Sequence, residues 1–225
     1  MTRRILFLLL WVGFLAYGFF LAPPDDPNTS DLIEKLSALE TEGINPIVVS
    51  LFNLMGVLPF MYTPLLLIDG KEQRLLAWPF SIFSFAVGAF AILPYLAFSE
   101  PKTELTSSYN WFLKAINSRV FSVLTVIGFF LIFTTGLMEG DWNEFVSLWQ
   151  NSRFIHVMSL DFCMLILLFP ALLKDDLTRR GVSDSKFFQT LIWIPLLGSM
   201  TYFVTRPPLK EDSAIALSGE PSQAS

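Results

Sequence analysis

The single histidine, the single cysteine and an aspartate flanked by apolar residues all fall in one stretch, Arg153 to Leu173, which reads RFIHVMSLDFCMLILLFPALL. An ionisable residue inside such a run is a functional-site hypothesis by default, here as an acid/base group. Histidine adds a group that titrates near neutrality or ligates a metal. The other long apolar runs of the chain carry no charged residue, so chemistry inside a bilayer would have to pass through this one.

Asp161 stands seven residues after Phe154, roughly 10 Å along a helix at 1.5 Å per residue. Against a hydrocarbon core roughly 30 Å thick, that places the carboxyl about a third of the way down. Inserting an aspartate at a helix centre costs about 2.5–3.5 kcal/mol, and each Leu, Ile, Phe or Val returns about 0.3–0.6 kcal/mol. The stretch holds twelve of these, so it is expected to insert with its carboxyl turned into the protein. A buried polar contact with Asn53, Tyr62, Tyr95 or Thr201 is the structural alternative to a catalytic role.

His156 and Asp161 are five residues apart, about 140° around a helix, and so do not share a face. His156 falls in line with Ser159 and Cys163, Asp161 with Met158 and Leu165. Each candidate therefore needs a partner from another element. His156, near the start of the run, is expected to meet water, a headgroup or a carbonyl. Cys163 is expected to be inert packing.

Composition fixes the class. The chain is 53% hydrophobic and 16% charged with 23 phenylalanines, which describes an all-α, polytopic transmembrane helix bundle. A net charge of −5 leaves no basic footprint for nucleic acid. One cysteine excludes an internal disulfide and a cysteine-based cluster, and one histidine excludes a multi-histidine metal site, so no metal is expected. No cofactor is indicated directly, although a pigment or carotenoid remains open.

Six spans are predicted, at about 5–22, 46–68, 75–98, 120–138, 154–173 and 187–205, within one domain over 1–208. Residues 209–225 read as a disordered polar tail. The first span follows Arg3 and Arg4 and lacks a small-residue cleavage pattern, so it reads as a retained helix, with a signal peptide as the alternative. Two short interfacial helices complete the pattern. One lies in the acidic loop 23–45, where Asp31 and Glu34 suggest an N-cap with its capping-box partner. The other carries Trp142, Phe145, Val146 and Trp149 at helical spacing. Ser84, Gly88 and Ala91 give the third span a small-residue face suited to close packing. Asp175, Asp176, Arg179 and Arg180 read as a solvated junction, with headgroup or partner contact as the alternative. Lys and Arg divide almost evenly between the two sides, so the positive-inside rule does not set the orientation.

The runs GINPIVVSLFNLMGVLPFMY, AWPFSIFSFAVGAFAILPYLAF and SRFIHVMSLDFCMLILLFPALLKDD resemble a family of uncharacterised multi-pass membrane proteins of cyanobacteria and chloroplasts. The resemblance implies a cyanobacterial thylakoid or plasma membrane and supplies no catalytic residues. A weaker resemblance, through Ile155-His156 with Asp161 and through Phe203-Val204-Thr205-Arg206, is to the neoxanthin-synthase-like plastid membrane proteins. The chain departs from that group in its first span, acidic loop and interfacial helix. A carotenoid activity implied by it would rest on His156 and Asp161.

No nucleophile elbow, phosphate-cradling loop, HExxH or dinucleotide fingerprint is present. The leading expectation is a non-enzymatic accessory or assembly protein of a photosynthetic membrane, with the lipid bilayer and a membrane complex as partners. The second is an embedded enzyme on a carotenoid or quinone, with Asp161 as acid/base group. The third is a small transporter, for which no inverted repeat is visible.

Overall fold

The computed structural model describes residues 2–71, 73–100 and 110–208. Among the described residues the chain is a helical bundle without strands. Four helices are long and apolar enough to cross a membrane: α1 with the turn that follows it (Thr2–Leu21), α3 (Pro46–Gly70), α7 (Arg119–Glu139) and α9 (Arg153–Arg180). The short helices are α2 (Thr29–Ser37), α4 (Ala77–Val87), α5 (Ala89–Phe98), α6 (Trp111–Ile116), α8 (Trp142–Asn151), α10 (Lys186–Leu191) and α11 (Leu197–Thr205). The expected polar tail at 209–225 lies outside the described residues.

Helices α3, α5 and α9 form the centre, and the core is aliphatic and aromatic: Leu58, Leu65, Ile92, Tyr95, Leu165 and Phe169 are all fully or nearly fully buried. α3 starts where the sequence provides both a cap and a pre-set backbone. The Asn45 side chain accepts the Ile47 amide at 3.0 Å, and Pro46 occupies the first turn. The same Asn45 amide group donates to the Asp141 carbonyl at 2.7 Å and to Glu144 at 2.9 Å, tying the start of α3 to the start of α8. Asp141 caps α8 in turn through the amides of Asn143 and Glu144. α7 lies close along α3 because its glycines permit it. A Cβ at Gly136 would come within 2.6 Å of the Ser50 side chain. Most of the rest of α7, with Val120, Leu124, Ile127 and Leu131, faces outward.

Two predicted spans are not continuous helices. The stretch expected at 75–98 breaks at Gly88, whose φ of +52° and ψ of −125° only glycine adopts readily, so α4 ends at Val87 and α5 begins at Ala89. The stretch expected at 187–205 divides around Pro195, and Leu196 has a φ of +62°. In the other direction α9 runs further than predicted. It continues through Asp175, Asp176, Arg179 and Arg180 to a left-handed Gly181, where the Val182 amide closes on the Leu177 carbonyl.

α2 differs at its start. Asp31 is not its N-cap, which is Asn28 without a side-chain hydrogen bond. Asp31 lies in the first turn and pairs with Lys35 at 2.8 Å, one turn on. Leu36 is the residue of α2 that is buried, packed in a cluster with Val48, Leu51, Ile155 and Met158.

Candidate functional site

Asp161 is buried on α9 and turned into the protein. Its Oδ1 accepts the backbone amide of Ala89 at 2.8 Å. That amide is the first donor of α5, left unpaired by the break at Gly88, and a half-helix starting inside a bilayer needs such an acceptor. Gly88 makes the approach possible. A Cβ there would run into the Asp161 carboxyl and lie 2.7 Å from the methyl of Met55.

None of the four residues expected as partners of Asp161 takes that part. Asn53 donates to the Val49 carbonyl at 2.9 Å and Thr201 to Leu197 at 2.7 Å, each within its own helix. Tyr62 donates to the Leu165 carbonyl of α9. Tyr95 donates to Asp69 at 2.5 Å.

A second repair lies one residue beyond Ala89. Pro94 has no amide hydrogen, so the Phe90 carbonyl loses its helical donor. The indole of Trp11 on α1 supplies one, at 3.1 Å, and the rings of Phe14 and Phe90 stack beside it with centroids 4.2 Å apart. The Tyr62 hydroxyl of α3 donates to the Leu165 carbonyl of α9 as an extra contact between the two helices, since the Phe169 amide remains in place as the helical donor to that carbonyl. Side chains thus stand in for backbone partners at two irregular points inside the apolar layer, the Ala89 amide and the Phe90 carbonyl.

His156 occupies a different corner. Residues Tyr17–Leu21 form a π-helical turn at the end of α1, which brings Tyr17 to the imidazole. The Trp149 carbonyl can only accept, so Nδ1 donates to it at 2.9 Å. In the neutral ring Nε2 is then the acceptor for the Tyr17 hydroxyl, at 2.8 Å. The Trp149 ring stacks on the imidazole at 4.2 Å. An open groove of about 590 Å³ runs from this cluster between α1 and α9, walled by Leu9, Phe14, Leu160, Cys163 and Leu167 among others. Cys163, expected as packing, is exposed there. Asp161 is not on the groove wall, so the two candidates of α9 serve separate places.

The larger polar site was read from sequence as a solvated junction and is instead buried at the end of the bundle. Asp176, Arg179 and Arg180 are each no more than 5% exposed. Arg179 pairs with Asp69 of α3, which also accepts from Tyr95. Arg180 donates through Nε to Asp176 at 2.8 Å, through Nη2 to Asn117 at 2.9 Å and through Nη1 to the Pro207 carbonyl. Tyr202 of α11 donates to the same Asp176 oxygen at 2.5 Å. Asp175 points the other way, to Arg3 at 2.7 Å. The spacing of two acids and two arginines four apart carried this signal, because four residues is one helical turn. Hydropathy alone ends the helix at Leu173 and so hides it, whereas α9 continues to Arg180.

Among the described residues no group of three or more His, Cys, Asp or Glu side chains is placed to hold a metal ion. Comparison of the chain with known protein families, with curated proteins and with solved structures finds no match.

Proposed function

We propose that this chain is an integral membrane protein that accompanies, assembles with or stabilises a photosynthetic membrane complex, in a cyanobacterial thylakoid or plasma membrane. The observation that carries the non-enzymatic part is the use made of Asp161. The one acid deep in an apolar span is committed to the Ala89 amide and so maintains the fold. The broad apolar faces of α1 and α7 are available to lipid and to neighbouring membrane proteins. The photosynthetic setting rests on the sequence resemblance. Extraction in mild detergent, followed by native gels and mass spectrometry, tests it: a defined co-migrating complex is expected, and a free monomer would overturn the proposal.

The groove beside His156 favours a second reading, an enzyme or carrier of a carotenoid or quinone. Its apolar walls suit a long hydrocarbon, and the Tyr17–His156 pair offers one polar contact at its end. The pigment and quinone profile of a His156→Gln strain, taken at normal protein abundance, separates the two readings. A changed profile supports the second and an unchanged profile the first.

A further inference from the structure

Arg206 follows directly on α11 and is only 6% exposed. Its guanidinium lies over the Phe203 ring, 4.5 Å from the centroid. Nε, Nη1 and Nη2 all lack a hydrogen-bond acceptor among the described residues. A guanidinium carries five N–H donors and cannot be left dry without a large penalty. Burial first, and then the positive charge of Arg180, push its pKa down to about 10. It therefore still carries its charge at neutral pH.

The surrounding cluster does not balance that charge. Arg179 is matched by Asp69, whereas Asp176 faces both Arg180 and Arg206. One carboxylate between two guanidiniums leaves one positive charge in excess. Asp176 Oδ1 is also without a partner, yet a single oxygen accepts at most two of the five donors of Arg206. Arg180 has already committed its nitrogens to Asp176, Asn117 and Pro207.

Position narrows the missing partner. α9 has 28 residues. At 1.5 Å per residue it is about 42 Å long, against about 30 Å of hydrocarbon. Its last turn, with Asp176 and Arg180, therefore lies at headgroup level. We propose that Arg206, supported by the field of Arg180, binds a phosphate- or sulfate-type oxyanion, as carried by an anionic lipid headgroup or by free phosphate. A planar fork of donors suits two oxygens of such a group at once.

The test uses the full-length protein, delipidated in an uncharged detergent, with thermal unfolding as readout. Inorganic phosphate is titrated against chloride at constant ionic strength, and phosphatidylglycerol against phosphatidylcholine in mixed micelles. A saturable rise of roughly 5–10 °C is expected at a hundredfold excess over Kd. A response to phosphatidylglycerol alone identifies a lipid headgroup, and a response to both ligands an oxyanion site of either source. Arg206→Gln should weaken the response roughly tenfold or more, and Arg206→Lys less. Without ligand, Arg206→Gln should unfold at a higher temperature than the parent, because it removes an uncompensated charge.

No rise with either ligand, or an equal rise in Arg206→Gln, would overturn the proposal. So would a response that is absent from the parent and appears only in a Glu211→Gln, Asp212→Asn double variant, because the chain's own tail would then be the acceptor. These outcomes are independent of whether a photosynthetic complex co-purifies.

Discussion

Asp161 and Ala89 lie 72 positions apart in the chain, and one hydrogen bond of 2.8 Å joins the carboxylate of one to the amide of the other. The carboxylate performs inside the bundle what Asp141 performs at the start of α8 on its surface. The role needs an acceptor oxygen and not a charge. Asp161→Asn should therefore change stability by only a few tenths of a kcal/mol, whereas Asp161→Leu should lose about 1–2 kcal/mol. Thermal unfolding of the two purified variants checks this. An Asn variant as unstable as the Leu variant would contradict the capping role.

Gly88→Ala should cost more than either, about 2–3 kcal/mol or more. It combines a backbone conformation that resists a side chain with a Cβ driven into the Asp161 carboxyl. A Gly88→Ala, Asp161→Ala double variant should recover part of the loss, because the collision disappears while the backbone strain stays.

Trp11 and Pro94 should be coupled. Trp11→Phe leaves the Phe90 carbonyl without a donor and should destabilise by about 1–3 kcal/mol. With Pro94→Ala in place, an amide at position 94 can serve that carbonyl and the cost of Trp11→Phe should fall by at least half. A double-mutant cycle reads the coupling directly, and additive losses would disprove the substitution of indole for amide.

The ion pairs should divide by burial. Arg179→Met leaves Asp69 buried with, among the described residues, Tyr95 and Gln73 to hold its oxygens, and should cost about 3–5 kcal/mol. Arg4→Gln, which frees the exposed Glu100, should cost less than about 1 kcal/mol. Unfolding at high and low salt adds a check, since salt should weaken the Arg4–Glu100 contact and leave the Arg179–Asp69 contact almost unchanged.

The helical class and the inward turn of the Asp161 carboxyl are both legible in the sequence. Hydrophobic runs announce themselves by composition, and a carboxyl within one must be turned inward. The identity of its partner was not legible, because that partner is a backbone amide, which no side-chain pattern marks. Gly88 was noticed as part of a small-residue face with Ser84 and Ala91. That face is indeed packed, with Ser84 and Ala91 buried, but the conformational break at Gly88 leaves no compositional trace. The Asp176–Arg180 cluster was hidden by hydropathy itself. Charges at the end of an apolar helix look like its solvated exit until Tyr202 and Asn117 arrive from distant segments to enclose them.

The break at Gly88 also sets an order for biogenesis. When α4 and α5 leave the ribosome, the acceptor for Ala89 has not yet been made. At roughly 5–20 residues per second the wait is about 4–14 s. Nascent chains arrested before Asp161 should therefore keep these two half-helices in contact with the translocon, and chains arrested after α9 should release them, which site-specific crosslinking would register. Insertion of the third apolar segment is in this sense completed by the arrival of the fifth.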